Sequence, residues 1–276
     1  VASGMGWELF SQYVRALHEA KPKYFIYENN KSMSKAIRSS IDEAFGFEAV
    51  LINSALVSAQ NRQRLYWVGK RNEDGSYSKV NVEQPADRGI LLKDVLDSAV
   101  YAKSLTDKEM GYMVRDHQER RWNFCNRPGE KGKSECITAN IHRGVPYNVV
   151  AEPINDICRV GAMPKPDVGY VIEFDDDGRP IKAIGKDGKE ITIYEVKDGK
   201  ITIKGKQYPI KLKDGYYIIR KLTVSECKRL QTVPEWYEFP VSNSQAYKML
   251  GNGWTCEVIA HLIRSCMAEQ WGGVDG

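Results

Sequence analysis

Three places in this chain of 276 residues carry side chains whose types and spacing suit chemistry. "QNRQR", residues 60 to 64, sets Gln60, Arg62 and Arg64 at every second position, just ahead of Leu65, Tyr66, Trp67 and Val68. Side chains on a strand alternate faces, so a strand reaching back to Gln60 projects all three from one face. Guanidinium groups fixed there suit a phosphate or a base edge; the plainer reading pairs them with surface carboxylates. "YFIYEN", residues 24 to 29, places Glu28 at the carboxyl end of a short apolar run, where α/β sheets put ligand-contacting residues. The alternative is a surface carboxylate closing a strand. "GNGW", residues 251 to 254, offers Asn252 between two glycines ahead of a helical apolar stripe, and Gly-rich turns into helix N-termini are common anion sites.

The elements around these residues read as follows. Trp7, Phe10, Val14 and Leu17 form a helical stripe that Lys21 and Pro22 end. "YFIY" reads as a parallel, fully buried strand. Ser34 caps a second helix with Ile37, Ile41 and Phe45 inward, closed by Gly46. "AVLI" (49 to 52) and "LYWVG" (65 to 69) are further strands, and the alternation with helices predicts a parallel α/β sheet. The texture changes near Asn72. Basic residues interleave with Trp122 and Phe124 between 115 and 143. From 170 to 218 short alternating runs are punctuated by Asp-Gly at 177, 187, 198 and 214, a hairpin signal that predicts a β-meander. The α/β texture returns at 220, where Thr223 and Glu226 have capping-box spacing ahead of a helix from Val224 to about Thr232, with Pro234 ending it.

Composition bounds the class. With 40 basic and 36 acidic residues the net charge is +4, too balanced to argue for nucleic acid alone. No apolar run approaches twenty residues, so no membrane span is expected, and the first ten residues lack the basic region of a signal peptide. Cys125, Cys136, Cys158, Cys227, Cys256 and Cys266 contain no CxxC pair. Neither a disulfide scaffold nor a metal site is expected, and a reducing cytoplasm is the default. The chain opens at Val1 in a sequence already heading into a helix, and reads as a piece of a longer protein.

"KPKYFIYEN" (21 to 29), "QNRQR" (60 to 64), "RKLTVSECKRLQTVPEWY" (220 to 237) and "QAYKMLGNGW" (245 to 254) resemble, in order, the later motifs of DNA cytosine-5 methyltransferases. The resemblance covers roughly 3 to 71 and 219 to 265, and the gap is where that family keeps its target recognition domain. The family's glycine-rich cofactor motif and its Pro-Cys-Gln motif are absent: no cysteine here follows a proline or precedes a glutamine. Family order places both upstream. The family's Glu-Asn-Val triplet reads Glu28-Asn29-Asn30, and the polar Asn30 is expected to loosen packing.

The resemblance implies a Rossmann-like parallel sheet, with 1–71 and 219–276 catalytic and 72–218 an inserted, β-rich recognition domain that includes the meander at 170–218. It implies S-adenosyl-L-methionine as cofactor. Double-stranded DNA and the amino-terminal part of the same methyltransferase are the implied partners, in a prokaryotic or phage cytoplasm. Glu28 would meet N3 of a flipped cytosine and Arg64 its O2, while Arg62 supports the catalytic loop and Gln60 organises the strand entrance. Asn252 and Gly253 would contact the amino-acid end of the cofactor, with Trp254 bordering it. Arg220 and Glu226 look structural. "KSECITAN" resembles the threonine-bearing recognition stretch, with Thr138, and Arg121, Arg127, Lys133 and Arg143 would contact phosphates or guanine edges; a solvated basic loop is the competing reading. A non-catalytic DNA-binding subunit and a methyltransferase acting on RNA are the alternatives.

Overall fold

The computed structural model describes residues 4–97, 104–113, 123–124, 132–141, 148–154, 170–185 and 187–271. In chain order the first elements are α1 (Met5–Ala20), β1 (Tyr24–Asn30), α2 (Lys35–Phe45), β2 (Val50–Asn53), β3 (Gln63–Arg71), β4 (Tyr77–Lys79) and α3 (Asp107–Met113). Then come β5 (Asn123–Phe124), β6 (Asn148–Pro153), β7 (Tyr170–Phe174), β8 (Pro180–Gly185), β9 (Glu190–Ile191), β10 (Tyr194–Lys197), β11 (Lys200–Ile203) and β12 (Lys206–Pro209). The last are β13 (Gly215–Lys221), α4 (Val224–Leu230), α5 (Asn243–Asn252) and α6 (Cys256–Trp271). Two compact units result: Val1–Val57, Arg62–Arg88 and Cys256–Gly276 in one, Ser58–Asn61 and Gly89–Thr255 in the other. Among the described residues no helix is long and apolar enough to cross a membrane.

The first unit is built on the strand order β1-β3-β2, with β4 also on β3. The expected parallel sheet is not what forms. β3 pairs antiparallel with both β1 and β2, so those two run the same way, with α2 carrying the chain between them. The link from β2 to β3, residues 54–62, is shorter than the dozen or more residues a parallel crossover needs. β3 therefore returns antiparallel and fills the place between its neighbours. Its apolar run is continuous because both faces are covered. Leu65 and Trp67 pack with Phe10, Leu17, Ile41 and Phe45 from α1 and α2. Tyr66 and Val68 pack on the opposite face with Val258, Leu262 and Cys266 from α6. Period 2 sends alternate residues to opposite faces, so an unbroken run reports two buried faces and says nothing of strand direction.

Local signals set the helix ends. Ser34 Oγ accepts from the Ile37 N–H, and Gly46, at φ 79°, closes α2 on the Asp42 and Glu43 carbonyls. Ile41 and Phe45 are buried, but Ile37 is exposed. Trp67 Nε1 donates to Asp42 Oδ1 at 2.7 Å and anchors α2 to the sheet. Gly69 lies opposite Phe25; a Cβ there would sit 2.2 Å from the Phe25 ring, so only glycine lets that ring lie across the strand.

The second unit holds a six-stranded sheet, β12-β11-β10-β13-β6-β5, and a three-stranded one, β7-β8-β9. Hairpins turn at Asp177-Gly178 and Asp187-Gly188. At Asp198-Gly199 both φ angles are positive, 53° and 65°, the mark of a type I′ turn. Lys204-Gly205 makes the same turn, at 49° and 73°, without an Asp to signal it. Asp214-Gly215 is no hairpin: Asp214 accepts from the Asp198 and Gly199 N–H groups, and Gly215 opens β13, which pairs with β10 and β6.

Thr223 and Glu226 make the expected capping box on α4, which ends at Leu230. Glu226 also meets Arg220 through two hydrogen bonds of 2.9 and 2.8 Å. Arg220, buried, reaches Glu152 at 2.7 Å. Burial works to lower the Arg220 pKa, but Glu226 and then Glu152 outweigh it and hold the guanidinium charged.

Candidate functional site

In the first unit, Glu28 lies opposite Tyr66 and Asn30 opposite Arg64. Opposed and alternate residues share a face, so Glu28, Arg64 and Tyr66 stand together. Arg64 Nε is 2.9 Å from Glu28 Oε1, with the two side chains 15% and 20% exposed. The guanidinium also donates to the Gln63 carbonyl at 2.9 Å. Charge-assisted bonds of this kind fix both partners. Tyr66, opposite Glu28, is buried. Burial raises its phenol well above the usual tyrosine range, Glu28 raises it further, and Arg62 and Arg64 oppose that. One neutral phenol thus senses all three charges.

The row from Gln60 to Arg64 does not form along one strand. β3 begins at Gln63. Arg62 precedes it and is buried, with its N–H on Asn53 Oδ1 at 3.0 Å and its carbonyl on the Ser54 N–H at 3.0 Å. Gln60 belongs to the second unit, where Ser58–Asn61 pair with the segment around Ser134. Asn29 Oδ1 accepts from the Asn30 N–H at 2.8 Å. Asn30 is exposed, so its polarity loosens no packing.

In the second unit the Gly251–Gly253 turn precedes a helix in the chain, α6, as expected, but it also follows one. Residues 243–252 form α5, a helix the sequence reading lacked, capped by Ser242. The turn therefore follows a helix C-terminus, where carbonyl oxygens favour positive charge. The Gly253 N–H donates to the Met249 carbonyl at 2.7 Å. Asn252 and Trp254 are exposed, Trp254 by 48%. A Cβ on Gly251 would lie 2.1 Å from the Thr138 carbonyl carbon, so glycine is required where α5 meets that loop. Thr138 itself is exposed.

Lys133 is not aimed at solvent. Its ammonium donates to the Ser58 carbonyl at 3.0 Å and to that of Ile90 at 2.5 Å. Arg121, Arg127 and Arg143 lie outside the described residues. Cys227 and Cys266 are buried, Cys136 half-buried and Cys256 exposed. No group of acidic, histidine or cysteine side chains suited to a metal occurs among the described residues. Sequence reasoning missed Tyr66, hidden within an apolar run, and Gln231. Gln231 is fully buried, and its signal was a polar residue directly after the apolar Leu230.

Glu28 and Arg64 on one sheet face form a complementary pair. A carboxyl can share a proton with a ring nitrogen while a guanidinium donates to the carbonyl oxygen beside it.

The family model described as C-5 cytosine-specific DNA methylase matches residues 2–268. The type II methyltransferase M1.ScrFI of Lactococcus lactis subsp. cremoris is 27% identical over 281 residues, covering 95% of this chain and 55% of that protein. M.HhaI of Haemophilus parahaemolyticus is 24% identical, over 92% of this chain and 66% of its own. The chain thus spans between half and two thirds of these relatives. A solved methyltransferase of Entamoeba histolytica superposes at TM-score 0.55 with 13% identity, over 94% of this chain and 69% of that one. DNMT2 of Spodoptera frugiperda gives 0.53 at 17%, over 93% and 70%. These share the mixed α/β fold.

Proposed function

This chain belongs to the C-5 cytosine-specific DNA methylase family, and on that premise we propose that it is the carboxy-terminal part of a DNA cytosine-5 methyltransferase. The observation that carries this reading is the Glu28–Arg64 pair on one face of β1 and β3. A cytosine must leave the stack to be modified at carbon 5. Its N3–O2 edge then presents a ring nitrogen to Glu28 and a carbonyl oxygen to Arg64. Addition of a thiolate to carbon 6 drives negative charge toward that edge. Glu28 shares a proton at N3 and Arg64 donates to O2, so both bind more strongly as charge develops. Arg62, buried beside them, adds positive charge to the same region.

The thiolate belongs, in this reading, to the amino-terminal part of the protein. Two observations support that partner. The chain covers only part of its relatives, and β1 stands at one edge of the strand order β1-β3-β2 among the described residues, the place in a sheet where a further strand can add. S-adenosylmethionine, when bound, supplies the methyl group. The exposed amide of Asn252 and ring of Trp254 at the carbonyl-rich end of α5 fit its ammonium-bearing amino-acid end. Of the segment 72–218, the part from Gly89 lies in the second unit and acts as target recognition domain, with Thr138, Arg121, Arg127 and Arg143 as its contacts to double-stranded DNA. Lys133 is better explained as a structural tie. Bacterial relatives fit a prokaryotic or phage cytoplasm.

The test is single-turnover methylation by the full-length protein beside equilibrium DNA binding. Glu28→Gln keeps the shape but offers no acidic proton, so turnover falls about a hundredfold to ten-thousandfold while DNA affinity holds. Arg64→Ala lowers both, since its partner oxygen is there before chemistry begins. Parental turnover by Glu28→Gln would make the carboxylate structural and refute the reading.

A further inference from the structure

We propose that Gln60 and Gln231 are positioning residues that hold the cofactor turn and the Thr138 loop as one hydrogen-bonded piece, an inference that rests on the methyltransferase reading. Both side chains are fully buried, and their amides meet head to tail, Gln60 Nε2 donating to Gln231 Oε1 at 3.1 Å. The outer partners fix the direction. The Ile137 N–H donates to Gln60 Oε1 at 3.0 Å, so Gln60 Nε2 is the atom that faces the Leu230 carbonyl, at 2.8 Å. The Thr255 hydroxyl donates to Gln231 Oε1 at 3.0 Å. Gln231 Nε2 then donates to the carbonyls of Leu250, at 2.5 Å, and Gly253, at 3.1 Å. Reversing either amide sets donor against donor or oxygen against oxygen, so one arrangement satisfies both.

One end of this chain of bonds is the Gly253 carbonyl, between Asn252 and Trp254. The other is the Ile137 N–H, beside Thr138. The close approach of Gly251 to the Thr138–Ala139 backbone joins the same two segments independently. A buried polar network with every partner present is stiff, and one with a partner removed is costly. A single substitution in the pair should therefore disturb two ligand-contacting elements together. A side chain that merely stabilised the unit would shift melting alone.

In the full-length methyltransferase, Gln231→Met keeps length and shape but removes the hydrogen bonds that Gln231 gives to the Leu250 and Gly253 carbonyls. S-adenosylhomocysteine affinity, by calorimetry, should fall roughly tenfold, the size of one buried hydrogen bond. The preference for duplex bearing the methylated site over duplex with one changed base pair should fall by a similar factor. Thr255→Val removes one donor to Gln231, preserves packing, and should shift both readouts the same way by a few fold, which keeps the test open if Gln231→Met does not fold. The double variant Gln60→Met/Gln231→Met should be no worse than the worse single one, since both break one network. A folded variant, with parental circular dichroism, that moves only one readout or neither overturns the proposal. Unchanged S-adenosylhomocysteine affinity in Asn252→Ala would instead overturn the cofactor-turn reading beneath it.

Discussion

A lysine ammonium offers three donors, and at Lys133 two of them go to the Ser58 and Ile90 carbonyl oxygens. Its place in a basic stretch suggested a phosphate contact, because sequence shows charge density but not where a stem points. Lys133→Met should lower stability by about 1–3 kcal/mol, the cost of leaving buried acceptors unpaired. The salt dependence of DNA binding should stay as it was, since no phosphate contact is lost; a slope reduced by about one would restore Lys133 to the DNA face. Glu28 and Arg64 each stand at the polar end of an apolar run, but that they pair depends on the register of β1 and β3, which no local pattern carries. Arg62 was misjudged as a strand neighbour of Arg64, since one residue decides where β3 starts, and Tyr66 hides as an ordinary core aromatic.

At the scale of elements, α4 was legible because a capping box is local: Thr223 and Glu226 bond each other's main chain within one turn. The bond of Arg220 to Glu152 of β6, beside the same carboxylate's bonds to Arg220, needed the register of β6 and β13, which no local pattern carries. Removing Glu226 would leave the buried Arg220 charge with Glu152 alone. Glu226→Ala should cost roughly 3–5 kcal/mol in chemical denaturation, against about 1 kcal/mol for Thr223→Ala, which loses only a cap. Equal costs would mean that Arg220 draws little from Glu226. The helix α5 was missed because its glycine sits inside the last turn, where it reads as a loop. Contact demands it there: Gly251→Ala must push the Thr138 backbone away and should destabilise by about 1–3 kcal/mol, visible as a lower thermal midpoint.

For the whole molecule, periodicity gave the core of the first unit and its two buried sheet faces, and connection length, not composition, decided that β3 runs against its neighbours. The β-rich character of the second unit was plain from its Asp-Gly turns, while its division into two sheets depended on pairings far apart in the chain. If the nucleophile lies upstream, the chain expressed by itself should transfer no labelled methyl group to DNA, and co-expression with the upstream segment should restore transfer; methylation by the chain alone would refute the split. The order of the elements also has a meaning in time. Ile52, Tyr66, Val68 and Val80 are covered by Val258, Leu262 and Cys266 of α6, and these leave the ribosome only after the second unit has been made. At about 5–20 residues per second, the interval from Val80 to Leu262 is roughly ten to forty seconds. Throughout it the nascent sheet shows water an apolar face awaiting its helix, so the growing chain is a natural client for chaperones, and loss of α6 would make that exposure permanent.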